Sequence, residues 1–144
     1  MTAVASATFP AAFPLAVGLG CDRGTPLETV ESALERALAS VGLAPAQVAV
    51  LASIDMKADE PAFLQLAERR GLPLHFYSAT RLAQVPVPNP SETVRRFMGT
   101  PSVSEAAALL AASSQTLLVE KFKWRGTDGR HATVSIAPMS RPTP

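Results

Sequence analysis

One cysteine, one tryptophan, one tyrosine and two histidines are all that this 144-residue chain carries of the side chains that build disulfides, many metal centres and base-stacking platforms. With Cys21 alone, an internal disulfide and a cysteine-rich metal site are both excluded, and a reducing cytosol is the fitting compartment. No His, Cys and carboxylate cluster has the spacing of a protein-bound metal, so neither a metal nor another resident cofactor is expected. Charge of one sign is also scarce in excess: thirteen Lys and Arg against twelve Asp and Glu leave a formal net charge of +1. No strong global field therefore draws in DNA, RNA or a membrane surface, and there are few aromatics for bases to stack on. No apolar run approaches the ~20 residues needed to cross a bilayer. Residues 1–14 lack a basic start and are interrupted by Pro10 and Pro14, so they read as a frayed tail rather than a signal peptide. These absences predict a cytoplasmic protein with no nucleic-acid and no membrane partner.

What is present is an apolar content of 47% with 17% charged residues, a globular balance in a chain long enough for one self-sufficient core. The predicted organisation is a single domain over residues 15–137, between flexible tails at 1–14 and 138–144. Its opening stretch is the most informative. Leu15 to Leu19 reads as a buried strand, Gly18, Gly20 and Gly24 bend the loop that follows, and Thr25-Pro-Leu-Glu28 fits a capping box with Pro26 at the first helical position. Val30, Leu34, Ala37, Leu38 and Val41 then form one helical stripe that Gly42 ends. A second strand, Ala49 to Ile54, leads to a helix capped by Asp59 with Phe63, Leu66 and Ala67 on its apolar face and Gly71 at its end. Leu74 to Ser78 is a third strand, and Ser78 starts a short helix through Leu82. Val85 to Pro90 is a stiff extended connection. A short helix over 91–98, a turn at 99–103 and an Ala-rich helix from Ser104 to Ala112 follow. Leu117 to Lys121 and Ala132 to Ala137 are the last strands, joined by the hairpin turn Gly126-Thr-Asp-Gly129. The expected fold is α/β: three layers, α/β/α, on a mixed sheet of about five strands, the last two an antiparallel hairpin.

Open α/β sheets bind ligands outside the carboxyl ends of their parallel strands. If the first three strands are parallel, one rim gathers Cys21, Asp22, Arg23, Ser53, Asp55, Lys57, Glu60, Ser78 and Arg81. Lys57, Arg23, Ser53 and the N–H groups of Gly24 and Thr25 suit a ligand with several carboxylates, with Asp55 and Glu60 to orient the cations or to act on water as general base. The alternative for Lys57 and Glu60 is a solvated ion pair of little energetic worth. Cys21 is either a nucleophile activated by Arg23 and a helix start or a small residue in a tight turn. No histidine lies near it in sequence, His75 being mid-strand and His131 beside the hairpin. A dinucleotide site at Gly18, Gly20 and Gly24 fits poorly, because the third glycine is wrongly spaced and Asp55 comes too late.

Four motifs occur together and in order: Gly18-Leu-Gly-Cys-Asp-Arg-Gly24, Ala52-Ser-Ile-Asp-Met-Lys-Ala-Asp-Glu60, Gly99-Thr-Pro-Ser-Val-Ser-Glu-Ala-Ala107, and Leu118-Val-Glu-Lys121 with Thr133-Val-Ser-Ile-Ala137. Over Leu15 to Ala137 the chain resembles the CobE/CbiG C-terminal domain family of cobalamin (vitamin B12) biosynthesis. The resemblance implies a role with precorrin or corrinoid intermediates, tetrapyrroles rich in acetate and propionate arms, and other enzymes of that pathway as potential protein partners. The candidate ligand-binding residues are then Gly20, Cys21, Asp22, Arg23, Gly24, Thr25, Ser53 and Lys57 of the rim, with Glu105 and, because it matches the family motif, Lys121. Glu105 opens a helix, where the dipole favours a carboxylate in any case. Lys123, Glu120, Trp124 and Thr133 read as strand residues, with Trp124 a candidate aromatic face for the ligand. Two functions stay open: a carrier of a labile intermediate, or a hydrolase opening the ring-A lactone with Asp55 or Glu60 as base. With only a short tail before the first strand, the stand-alone CobE type of the aerobic route is the nearer expectation. One departure stands out, for the loop after the family cysteine usually carries two basic residues and the first is here Asp22.

Overall fold

The computed structural model describes residues 13–92, Arg95 and residues 102–139. Nine main elements follow one another: β1 (Leu15–Cys21), α1 (Leu27–Ser40), β2 (Val48–Ile54), α2 (Pro61–Arg70), β3 (Leu74–Tyr77), α3 (Ala79–Ala83), α4 (Val103–Ala112), β4 (Val119–Arg125) and β5 (His131–Pro138). The five strands form one mixed sheet in the order β3-β2-β1-β5-β4. β1, β2 and β3 are parallel, β5 runs antiparallel to β1, and β4 pairs antiparallel with β5. The predicted mixed sheet with a terminal hairpin is therefore the fold. Among the described residues no helix is long and apolar enough to cross a membrane.

Alternation along β1 explains the layering. Leu15, Val17 and Leu19 face one way and pack with Val30, Leu34 and Leu38 of α1 and Phe63 and Leu66 of α2. Ala16 faces the other way, with Val50 and Ala137, onto Ala108, Leu109 and Ala112 of α4. Ala52 and Ile54 continue that second face onto Leu82, Ala106 and Ala107. Small side chains on both partners let α4 lie close to the sheet. Gly18 sets the limit: a Cβ there would run into the Ser104 carbonyl oxygen and stand 2.8 Å from the Ala108 nitrogen. This close approach brings the first turn of α4 to the carboxyl end of β1.

Helix starts differ from the sequence reading. Thr25 does not cap α1; Pro26 holds that position with no side-chain cap bond, so the Thr25/Glu28 capping box is absent. Instead the Thr25 hydroxyl donates to the Asp22 carbonyl at 2.6 Å and closes its own loop. Nor does Asp59 cap α2. Glu60 is the cap residue, again without a side-chain cap bond, and Pro61 begins the helix. Because proline has no N–H to satisfy there, both carboxylates are released for ion pairs. The expected Ser78 cap forms, its hydroxyl accepting from the Arg81 N–H at 3.1 Å. Gly42 and Gly71 follow their helices with positive φ of 70° and 65°. The packed unit is wider than 15–137: Phe13 is buried, β5 runs through Pro138, and the Met139 N–H donates to the Pro14 carbonyl at 3.0 Å. The remainder of both expected tails, most of the expected 91–98 helix and residues 99–101 of the turn lie outside the described residues.

Candidate functional site

A cleft of about 330 Å³ opens where β1 ends. Its floor is Gly20, Cys21 and Asp22 from β1 and its loop, and Thr133 and His131 from β5. Ile54 and Lys57 close one side, Lys121 and Lys123 of β4 the opposite side, and Ser102, Val103 and Ser104 the end formed by the start of α4. Register explains the row of floor residues, since Gly20 pairs with Thr133 and Thr133 with Lys123 across three strands. Alternation then puts Lys121 and Lys123 on the cleft face, while Phe122 and Trp124 pack against the opposite core. Trp124 is covered there by the Arg36 guanidinium, 3.8 Å from the ring centroid, so the expected aromatic face for a ligand is absent from the cleft.

Lys57 is the central cation. It is 4% exposed, follows β2 in a short 3-10 turn, and its Nζ lies 3.5 Å from Oε1 of the fully buried Glu60. Among the described residues that carboxylate is its one ionic partner. Glu60 also gathers the β1 loop: Oε2 accepts from the Gly24 N–H at 3.0 Å, and Oε1 stands 3.2 Å from Arg23 Nη1. Among the described residues no contact to Oε1 has hydrogen-bond geometry, so its compensation is Coulombic, from two cations at once. The loops after β1 and β2 thus meet at one end of the molecule.

Several expected anchors are committed elsewhere. Arg23 donates to Asp59 Oδ1 at 2.9 Å and to the Met56 carbonyl at 3.0 Å, stapling the two loops together outside the cleft. Asp59 beside it raises the guanidinium pKa, and Arg23 in turn lowers that of Asp59. The Gly24 N–H serves Glu60, and the Thr25 N–H donates to the Asp22 carbonyl at 3.2 Å. Ser53, wholly buried, donates to the Leu19 carbonyl at 2.7 Å and ties β2 to β1. Asp55 is exposed at the start of its 3-10 turn and does not line the cleft. Ser78 and Arg81, after β3, stay with α3, Arg81 lying 5.2 Å from the Tyr77 ring centroid. The β3 loop stays apart because β3 sits at the sheet edge, two strands from β1.

Asp22, the acidic departure, has a structural partner. Its Oδ2 accepts from the His131 N–H at 2.7 Å and lies 3.3 Å from His131 Nδ1, fastening the β1 loop to the start of β5. Burial pushes the Cys21 thiol up to about 11, against the opposing pull of Lys57. At neutral pH it is a protonated thiol, which argues against a nucleophile; nor is it a turn residue, for it ends β1 and pairs with Ala132 of β5.

Glu105 does not line the cleft but organises it. Its buried carboxylate accepts from the Asn89 N–H at 3.2 Å, from Asn89 Nδ2 at 2.7 Å and from the Lys121 N–H at 3.2 Å. Lys121 Nζ returns a bond to the Asn89 carbonyl at 2.7 Å. Partial burial lowers the Lys121 pKa, Glu105 opposing and Lys123 reinforcing the shift. Sequence reading missed Asn89 and Ser102. Nothing in its spacing marked Asn89, whereas Ser102 sits inside the third motif and immediately before a helix. Among the described residues, no group of three His, Cys, Asp or Glu could hold a metal ion.

Comparison with known proteins places the chain in a family. The model of the cobalamin synthesis G C-terminus matches residues 15–137. The chain belongs to this family. Among its members, Protein CobE of a Sinorhizobium species is 40% identical over 126 residues, covering 85% of this chain and 79% of that one. A cobalt-precorrin-5A hydrolase of Priestia megaterium is 34% identical over 123 residues, 85% of this chain but only 32% of the hydrolase. The chain therefore corresponds to about a third of that enzyme. Among solved structures, CobE, described as a protein from the cobalamin biosynthetic pathway, superposes with a TM-score of 0.74 at 34% identity, covering 90% of this chain and 97% of CobE. The cobalamin biosynthesis family is thus the setting in which the cleft has to be read.

Proposed function

We propose that this protein binds a polycarboxylated precorrin or corrinoid intermediate in the cleft at the end of β1 and acts as a carrier or chaperone for it. The observation that carries this reading is Lys57, an almost buried ammonium that lines the cleft with one carboxylate beside it. Burying an ammonium costs several kcal/mol unless its donors are used, and Lys57 has three donors for one ionic neighbour, 3.5 Å away, among the described residues. Lys121 and Lys123 on the facing wall add two more cations at the mouth. At about 330 Å³ the cleft is at the small end of the ~300–1,000 Å³ range of ligand sites. It suits the acid arms and one edge of a tetrapyrrole, the rest of the ring lying across the rim.

A hydrolase opening the ring-A lactone is the second reading, favoured by the relative named cobalt-precorrin-5A hydrolase. It needs a carboxylate free to take a proton from water. Glu60 is held by Gly24, Arg23 and Lys57, and Asp55 is outside the cleft, which favours the carrier. Mixing the purified protein with a pathway precorrin and recording both absorbance and mass separates the two. Binding without a mass change is the expected result; loss of a two-carbon fragment would establish the hydrolase instead, and no binding would refute both.

A further inference from the structure

We propose that the inner end of the cleft is a carboxylate subsite, made by the Ser102 hydroxyl, the first-turn N–H groups of α4 and the Lys57 ammonium, and that it selects free-acid arms over amidated ones. For its natural ligand this rests on the corrinoid reading; the subsite itself rests on separate observations. Ser102 is completely buried and lines the cleft, yet its Oγ has no hydrogen-bond partner among the described residues. Buried hydroxyls are nearly always partnered, so an orphan of this kind is open to an acceptor from outside the protein. It stands at the cap of α4 without making a cap bond, and so remains free to donate outward.

The helix behind it spans ten residues, and its first N–H groups have no acceptor within the helix. Val103 and Ser104 bring that end into the cleft. Glu105, the carboxylate in the first turn of this helix, does not neutralise it but is turned onto Asn89 and the Lys121 N–H. The Ser104 hydroxyl already has a partner, Ser135 Oγ at 2.9 Å. What remains at this end is a set of donors: an ammonium, backbone N–H groups and one rotatable hydroxyl. A carboxylate satisfies them all. An amide brings its own NH2 against other donors and no charge for Lys57. A phosphate dianion would bring a second negative charge toward Glu60, 3.5 Å from the same ammonium.

The test compares cobyrinic acid, a corrin with free carboxylate arms, and cobinamide, the same ring with amidated arms, by absorbance titration. Wild type is expected to bind the acid at least about tenfold more tightly. Ser102→Ala is expected to weaken the acid about tenfold, to leave cobinamide unchanged, and to leave the melting temperature of the free protein unchanged or raised, since the hydroxyl it removes has no internal partner. Equal acid affinity in Ser102→Ala, equal loss for both ligands, or a lowered melting temperature would overturn the subsite. If wild type binds neither corrinoid, the carrier reading fails and glutarate decides the subsite alone. Glutarate-induced shifts of the Val103 and Ser104 amide signals that vanish in Ser102→Ala would support it. No shift, or equal shifts with inorganic phosphate, would overturn it.

Discussion

Neutralising Glu60 tests the architecture on which the cleft depends. Glu60→Gln keeps the shape and can keep the bond from the Gly24 N–H, 3.0 Å from Oε2 in the native protein. It removes the negative charge 3.5 Å from Lys57 Nζ and 3.2 Å from Arg23 Nη1. These two losses differ in weight. The Arg23 side chain is 55% exposed, so water screens its share and little is lost there. The Lys57 side chain is 5% exposed, and breaking a buried pair while leaving one charge behind costs ~3–5 kcal/mol. With the Gly24 bond retained, a loss of about 3 kcal/mol is expected, or a fall in melting temperature of about 10 °C. Urea unfolding followed by circular dichroism measures it. Pairing the change with Lys57→Met completes a cycle, because the double variant no longer strands a charge. Its loss should be about 2 kcal/mol smaller than the sum of the singles. A Glu60→Gln protein within about 0.5 kcal/mol of wild type, or additive losses, would refute the buried-pair argument.

Four further outcomes follow from the same structure. Cys21, raised from 9.0 to about 11, should react with iodoacetamide at pH 8 about a hundredfold more slowly than a free thiol; ordinary reactivity would contradict it. Because the folded state holds this proton more tightly, the associated stability is complete below pH 9 and is lost as pH rises through about 11, which alkaline unfolding curves of wild type and Cys21→Ala will separate. Gly18→Ala should prevent the close seating of α4, because its Cβ meets the Ser104 carbonyl and the Ala108 nitrogen, costing more than ~3 kcal/mol; a stably folded variant would contradict that. Asn89→Ala removes the side-chain bonds to Glu105 and Glu120, at 2.7 and 2.9 Å; a loss of ~1–2 kcal/mol with weaker corrinoid binding is expected, and no change in either would show that the Asn89 carboxamide is idle.

The sheet was legible because its signals are local. Apolar runs mark β1 and β2, glycines end α1 and α2, and the Gly126–Gly129 turn joins the hairpin. Helix starts were less so: Thr25 and Asp59 have cap-forming side chains, but loop closure in one case and Arg23 in the other outbid the helix ends. The convergence of Arg23, Lys57 and Glu60 followed from parallel strands alone. Which of them faces the ligand did not, because that depends on how tightly each is already bonded. Arg23 looks like an anchor in sequence and is a staple in space. Asn89 meets Glu105 16 residues away and leaves no trace in spacing; Ser102 lies within a motif and ahead of a helix, but that its Oγ lacks a partner among the described residues is visible only in space.

Whether acid arms of a corrinoid enter at the carboxyl end of β1 is decided by mapping amide chemical-shift changes as cobyrinic acid is added. Changes concentrated at Gly20 to Asp22, Lys57, Ser102 to Ser104, and Lys121 to Lys123, and abolished by Lys57→Met, are the predicted result. Saturable changes clustered on α1 and α2, or binding that survives Lys57→Met undiminished, would contradict it.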